Sequence, residues 1–569
     1  MKSKTNFLFP LVVSILHHFL VLSATAEVSL KTDEASLLAL KSYVTSDTYD
    51  VLTSNWTLTT SVCNWIGVTC SSRHQRVIVL DISNMGLIGT IPPQLGNLSF
   101  LVSLDISSNG FHGILPRKFA NLHRFEFING TSNMFTGDIP SWFSLLPELQ
   151  HLHLAFNSFT GIIPPAIYNA SKLESLVLGF NQLQGEIPNE IGNLQNLTWL
   201  SLGSNQLTSL VPLSLFNISS LQRLVLMNNS LSGNLPVDIC SNLPELTVLA
   251  LSDNEFDGQI PSGIDKCSKL QILSLSFNKF SGVIPRKIGK LNMLSILYLG
   301  RNDLEDEILE EIGNLRNLEI FYAQNCSLSG PLPSSISKLT SLQLLNLYGN
   351  KLSGTLPRDL CLNMSVLRAM DLGNNLFSGR IPKEFENCTS LSDLFLRENN
   401  LIGELPREIG NLFNLGRLDL HYNFLTGPIP STIFNMSNIR GISFLGNFFT
   451  GSLPPDKGLG LPNLEELYLG YNNLTGSIPH SLSNASNIFR LGIGYNNFSG
   501  PFPRSFGNLR HLEYLNVNDN HFTKEPSSQE LIFFNSLTNC RHLRQLWIGY
   551  NPLNGNLPAS VGNLSSSLD

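Results

Sequence analysis

The sequence predicts an α/β repeat solenoid, with a parallel sheet lining a concave face and short helices on a convex face. Three observations point there. First, a segment of the form L-x-L-x-x-N-x-L-x-G-x-I/L-P returns about every 24 residues from Met85 to Asn551. Leu176 to Pro188, Leu224 to Pro236, Leu345 to Pro357, Leu418 to Pro430 and Leu467 to Pro479 are clear copies. Such a period means that each unit buries its apolar side only by stacking on its neighbours. Second, the leucines before each Asn alternate with other residues, the pattern of a strand with one face buried. Third, 569 residues are too many for one globular core, whereas a solenoid core grows along one dimension.

Taken in chain order, Lys2 and Lys4 precede an apolar stretch from Phe7 to Leu22, and Ala24-Thr25-Ala26 offers a cleavage point. This predicts a secretory signal over residues 1–26. Pro10 and His17-His18 interrupt the stretch, which is short for a membrane span. No other run is long and apolar enough to cross a bilayer. The chain is expected to enter the secretory pathway, to be secreted as it stands, and to lie outside the plasma membrane in a longer form. Residues 27–76 read as a cap covering the first repeat. Thr32 is placed to N-cap a helix through Lys41, with Asp33 and Glu34 at its positive end. Trp56 and the segment Cys63 to Cys70 then lead into a first strand at Val77–Leu80.

About twenty repeats are expected over 77–569. Their marker Asn turns inward to pair backbone groups that would otherwise be buried alone; Cys326 replaces it once. The G-x-I-P piece adds a second short extended segment, ended by proline, and the I-G-N-L region a helical turn. Two places depart from the pattern. Ser527 to Glu530 reads as a capping box, with Leu531, Phe534 and Leu537 at helical spacing, and predicts a longer convex helix. Asp306 stands where Gly is expected, among Asp303, Glu305, Glu307, Glu310 and Glu311, and predicts a solvated acidic flank. The chain stops inside a repeat after Asn563, without a closing cap, which predicts a piece of something longer.

Cys63 and Cys70 are expected to pair. Cys240 and Cys267 are spaced like Cys361 and Cys388, one cysteine on each of two neighbouring repeats, and both pairs are expected to be disulfides. Cys326 and Cys540 are left as core thiols. Glycosylation sequons are dense; those at Asn55, Asn97, Asn169, Asn196, Asn217, Asn363, Asn435 and Asn484 are taken as used, which would leave the concave face bare.

Catalytic signatures are missing: no glycine-rich phosphate loop, no H-R-D or D-F-G, no H-E-x-x-H and no G-x-S-x-G. His151 and His153 alternate on one strand, but without a third ligand they read as an exposed pair. No enzyme activity, cofactor or metal is expected. A net charge of −7 disfavours nucleic acid. Recognition is what remains.

The L-x-G-x-I-P form resembles the plant-specific leucine-rich repeat, whose fold is a right-handed superhelix. The segment Cys63-x-Trp65-x-Gly67-Val68-x-Cys70 resembles the N-terminal cap of plant leucine-rich-repeat receptor-like serine/threonine kinases. Phe533 to Cys540, followed by Leu557 to Leu564, is similar to subfamily XII, which includes receptors for bacterial peptides. The resemblance implies an outer domain that binds a peptide or protein ligand in defence signalling and recruits a shorter leucine-rich-repeat co-receptor kinase. The implied span and kinase are absent from this chain. No long island interrupts the repeats, which argues against a steroid-type receptor. No Arg-x-Arg pair shares a strand, which argues against receptors that clamp a peptide's terminal carboxylate.

Residues between and just after the strand leucines should face the ligand. Tyr298, Tyr322, Tyr348, Phe395, Arg397, Asp419, His421 and Tyr422 are the candidates, since exposed aromatics with interspersed charge suit an extended peptide. The rival readings are a secreted decoy and an inhibitor of microbial wall-degrading enzymes.

Overall fold

The computed structural model describes residues 30–455 and 460–568; the expected signal at 1–26 lies outside them. The chain divides into two compact units, Met1–Asp257 and Gly258–Asp569. No helix among the described residues is long and apolar enough to cross a membrane.

The first unit opens with a helix over 30–43. Thr32 lies inside it, its carbonyl accepting the Ser36 hydroxyl at 2.7 Å, so it does not cap the start. Nor does Asp33 serve the helix end. Its carboxylate is wholly buried and takes Arg76 Nε at 2.8 Å and Nη2 at 2.7 Å, plus the Val77 N–H at 3.0 Å. A paired guanidinium satisfies a buried carboxylate better than a helix terminus does. Trp56 and Trp65 stack with ring centres 5.3 Å apart, and a disulfide joins Cys63 to Cys70. Val68–Cys70 runs antiparallel to Val77–Asp81. From Val77–Asp81 a parallel sheet continues through seven three-residue strands to Val248–Ala250. The central residue of each strand, such as Leu104, Leu152 or Leu200, is buried.

In the second unit the same ladder runs from Ile272–Ser274 through Ile296–Tyr298, Ile320–Tyr322, Leu344–Asn346, Ala369–Asp371, Asp393–Phe395, Arg417–Asp419, Gly441–Ser443, Glu466–Tyr468, Arg490–Gly492 and Tyr514–Asn516 to Gln545–Trp547, in unbroken register. Each strand residue on the open face thus stands beside its equivalents one repeat away. A disulfide joins Cys361 to Cys388. Cys240 belongs to the first unit and Cys267 to the second.

The marker asparagine ties each repeat to the one before. Asn423 Nδ2 reaches the carbonyls of Leu396, Leu420 and His421 at 3.0–3.4 Å, and its Oδ1 accepts the Leu401 N–H at 3.1 Å. A buried amide that satisfies four backbone groups explains why the position is so constant along the chain. Cys326 keeps part of this, its thiol reaching the Leu299 carbonyl at 3.4 Å.

Most of the convex elements are single 3₁₀ turns, shorter than helices proper; Ile239–Asn242 and Phe533–Leu537 are short α-helices. Proline sets the entry: Pro406, with φ −60° and ψ 132°, starts the turn Arg407–Asn411, and the Leu412 N–H closes on the Ile409 carbonyl. The glycine of I-G-N-L gives the next turn its room, for a Cβ on Gly313 would strike the Ser335 carbonyl oxygen. The longer helix expected near Ser527 is not formed. Only Phe533–Leu537 is helical, and the Ser528 hydroxyl is engaged with the Glu530 N–H and carbonyl in a local bend. Ser527, the serine of the expected box, lies in a turn, and Glu530, its partner three residues on, is bridged to Asn556 instead. Leu531, Phe534 and Leu537 are buried as expected.

Asp306 holds φ +74°, the left-handed conformation its glycine counterparts adopt. The acidic flank around it is partly structural. Glu310 accepts the Ser334 and Ser335 N–H groups of the next turn, and Glu311 pairs with Arg286 at 3.4 Å.

Candidate ligand-binding surface

On the open face of the second unit, register lines up Tyr298, Tyr322, Asn346, Asp371, Phe395, Asp419, Ser443 and Tyr468 as one row. The Tyr298 and Tyr322 rings meet edge to face at 5.8 Å. Tyr348, Arg397 and His421 occupy the position two residues after the strand centre's neighbour in their own repeats, just past the strand ends, where the chain begins to bend.

Charge organises the middle of this face. Arg397 Nη2 lies 3.2 Å from Asp371 Oδ2, and its Nε lies 4.0 Å from Asp419 Oδ2. The guanidinium also covers the rings of Tyr348 and Phe395, at 4.8 and 5.1 Å from their centres. Asp419 in turn holds His421 Nδ1 at 2.6 Å, and His421 Nε2 stands 3.5 Å from Glu398 Oε1. Five ionisable side chains from three successive repeats therefore form one chain: Asp371, Arg397, Asp419, His421, Glu398. Burial raises the Asp371 carboxyl above its ordinary value, with Arg397 pulling the other way. Burial lowers His421, but the hydrogen bond and charge of Asp419, joined by Glu398, outweigh it and hold the imidazole above its ordinary value.

Seven of the eight sequence candidates thus come together. Tyr422 stands apart. It has φ +51° in the bend before Asn423, is 55% exposed, and lies against His421 and over Gly446 at the rim. Glu398 holds the same left-handed position one repeat earlier. Sequence reasoning missed Gly441, Ser443, Leu445 and Glu466, which with Phe395, Arg417, Asp419, His421 and Tyr468 line an open depression of about 480 Å³. The available signal was a run of small residues, Gly441 and Ser443, between repeats carrying large ones.

On the first unit, His151 and His153 are half-buried, not exposed, and share the Ser175 hydroxyl at 2.9 and 2.6 Å. Burial, with the neighbouring His151, lowers His153 to about 4, so it stays neutral. Five of the eight sequons taken as used end the turns, away from the strands, whereas the further sequon at Asn129 lies in the strand Phe127–Asn129. Asn97, Asn169, Asn217, Asn435 and Asn484 are each the last residue of a 3₁₀ turn and exposed; Asn196 and Asn363 are exposed as well, and Asn55 is half-exposed.

With ladder, cap and asparagine spine in place, comparison with known proteins is direct. The leucine rich repeat N-terminal domain matches residues 30–71. Leucine rich repeat families match 219–304 and 462–522, and eight further single repeats between 100 and 564. The chain belongs to the leucine-rich repeat proteins. The LRR receptor-like serine/threonine-protein kinase EFR of Arabidopsis thaliana is 44% identical over 78 residues, which are 14% of this chain and 8% of that protein. The probable LRR receptor-like serine/threonine-protein kinase At3g47570, from the same plant, is 47% identical over 73 residues, 13% of this chain and 7% of the relative. The aligned stretches therefore span less than a tenth of these curated relatives.

Solved structures match far more of this leucine-rich repeat chain. The plant peptide hormone receptor RGFR1 in complex with RGF2 has a TM-score of 0.76 at 27% identity, covering 89% of this chain and 94% of that one. The Arabidopsis receptor kinase HAESA, in complex with the peptide hormone IDA and the co-receptor SERK1, gives 0.65 at 27%, covering 87% and 94%. The chain is thus similar, over most of its length, to leucine-rich repeat portions of plant receptor kinases.

Proposed function

We propose that this chain is the extracellular recognition part of a plant receptor-like kinase and that it binds a peptide on the open face of its second unit. The observation that carries this reading is the Asp371–Arg397–Asp419–His421–Glu398 chain, walled by Tyr348 and Phe395, with Tyr322 farther along the same row. Rigid aromatics and charges fixed by one another offer contact area at small entropic cost, which suits an extended polar ligand. The likeness to peptide-bound RGFR1 and HAESA supports the ligand class. A microbial peptide sensed in defence is the finer reading, implied by the resemblance of Phe533 to Cys540 to subfamily XII. A shorter leucine-rich-repeat co-receptor would complete the assembly, by analogy with SERK1 on HAESA. The convex and turn-end sequons, if glycosylated, would leave the strand face open.

The test is a binding screen of the secreted chain against plant and microbial peptides, repeated with Arg397→Ala and Tyr322→Ala. Loss of about tenfold or more in affinity in both variants supports the reading. Wild-type affinity in both moves the ligand elsewhere.

A further inference from the structure

The depression at Gly441 and Ser443 has a chemistry of its own. Along the row, the strand before it carries Arg417 and Asp419 and the strand after it carries Glu466 and Tyr468. Between them the open-face residues shrink to a hydrogen and a hydroxymethyl. The gap is one repeat wide, bounded by the Phe395 and Tyr468 rings and by Leu445, and its volume of about 480 Å³ exceeds any single side chain. Gly441 is not needed by the backbone: it lacks the left-handed conformation, and a Cβ there would meet only Arg417 Cγ, at 3.7 Å. Its effect is to leave space.

The charges around the gap are unequal. Asp419 is held by His421 and Arg397. Glu466 is held by Arg490 at 3.6 Å. Arg417 is exposed and leans over Gly441, and among the described residues no carboxylate stands within ion-pair distance of it. Among the described residues it is the one cation on the rim of the gap without an internal partner. A guanidinium in that state is available to a carboxylate from outside, which it can take in a bidentate grip.

We propose that this gap is the specificity pocket of the peptide site. It takes one large apolar or aromatic side chain of the ligand between Phe395, Leu445 and Tyr468, while Arg417 binds a carboxylate next to that side chain. The proposal rests on the peptide-binding reading above. The carboxylate is either an acidic side chain or the peptide's C-terminus.

The experiment uses the secreted chain and a synthetic peptide array. One position is Phe, Leu or Ser, its neighbour is Asp or Asn, and each peptide is made with a free and an amidated C-terminus. The expected result is selection of Phe or Leu beside Asp, or of Phe or Leu at a free C-terminus; the two arms identify the source of the carboxylate. Gly441→Leu fills the gap and should weaken the selected peptides about tenfold or more. Arg417→Ala should erase the preference for the carboxylate while keeping the preference for the apolar residue. Phe413→Ala, at an exposed position on the convex side, should change neither. If Gly441→Leu does not fold, Arg417→Ala alone decides, because its side chain lies outside the core. Peptides that bind, and respond to Arg397→Ala, but ignore both substitutions overturn the pocket and leave the wider site standing. An array in which nothing binds the wild type overturns both.

Discussion

His421 Nδ1 lies 2.6 Å from Asp419 Oδ1, while the other ring nitrogen faces Glu398 at 3.5 Å. The imidazole is thus held between two carboxylates, and its folded pKa is raised above the ordinary value. A raised pKa means that the native state binds the proton more tightly than the unfolded chain does. The resulting stabilisation is full below the unfolded histidine pKa of about 6.5 and is lost as pH rises through the higher folded value. Wild type should therefore lose thermal stability between about pH 6 and pH 8.5 relative to His421→Gln. Melting curves of both proteins at the two pH values check this. Parallel behaviour would mean that the histidine is not held charged.

The Asp33–Arg76 pair makes the cap sensitive to a single change. Asp33→Ala leaves the Arg76 guanidinium, only 7% exposed, without its carboxylate. Breaking a buried pair from one side costs roughly 3–5 kcal/mol. The expected outcome is early unfolding of the cap, read as faster hydrogen exchange over residues 30–81 with the second unit's exchange unchanged.

The two free cysteines should be silent in the native protein. Cys326 and Cys540 are buried, and burial raises both thiols to about 11. At neutral pH neither should react with a thiol reagent until the chain unfolds, since the thiolate is the reactive form. Mass spectrometry after alkylation, with and without denaturant, reads this directly. Rapid native labelling of Cys326 would contradict its place in the asparagine spine.

Asp306 carries strain that its glycine counterparts avoid, as Ser209 does at the same place in its repeat. A non-glycine residue at φ +74° costs on the order of 1–2 kcal/mol, part of which glycine returns as chain entropy in the unfolded state. Asp306→Gly should stabilise the chain by about 1 kcal/mol, seen as a raised denaturation midpoint. No gain would mean that Asp306 has a compensating role on the acidic flank.

The repeat architecture was readable because the leucine and asparagine positions answer to one demand repeated many times: an apolar face and a set of backbone groups, all needing burial with partners. Asn423 and its asparagine equivalents meet that demand in the same way from repeat to repeat, Cys326 only in part, so periodicity alone located the strands. Where a residue answers to its local neighbourhood, pattern reading failed. Asp33 matched a helix start, but Arg76, far along the sequence, claims it. Ser527 and Glu530 matched a capping box, but Glu530 is bridged to Asn556 in the next repeat. Tyr422 matched an open-face position, but its left-handed backbone turns it to the rim. The gap at Gly441 and Ser443 was invisible for a different reason, since it is made by what two side chains lack. The cluster around Arg397 was named residue by residue from alternation, yet its ion pairs depend on which repeats stand side by side in register.

The most direct measurement is photo-crosslinking of a peptide captured by the secreted chain, with a photoreactive residue placed in turn at Tyr322, Phe395 and Phe413. Binding on the open strand face of the second unit requires crosslinks from positions 322 and 395 and none from 413. Crosslinks confined to position 413, or equal yields from all three, would contradict it.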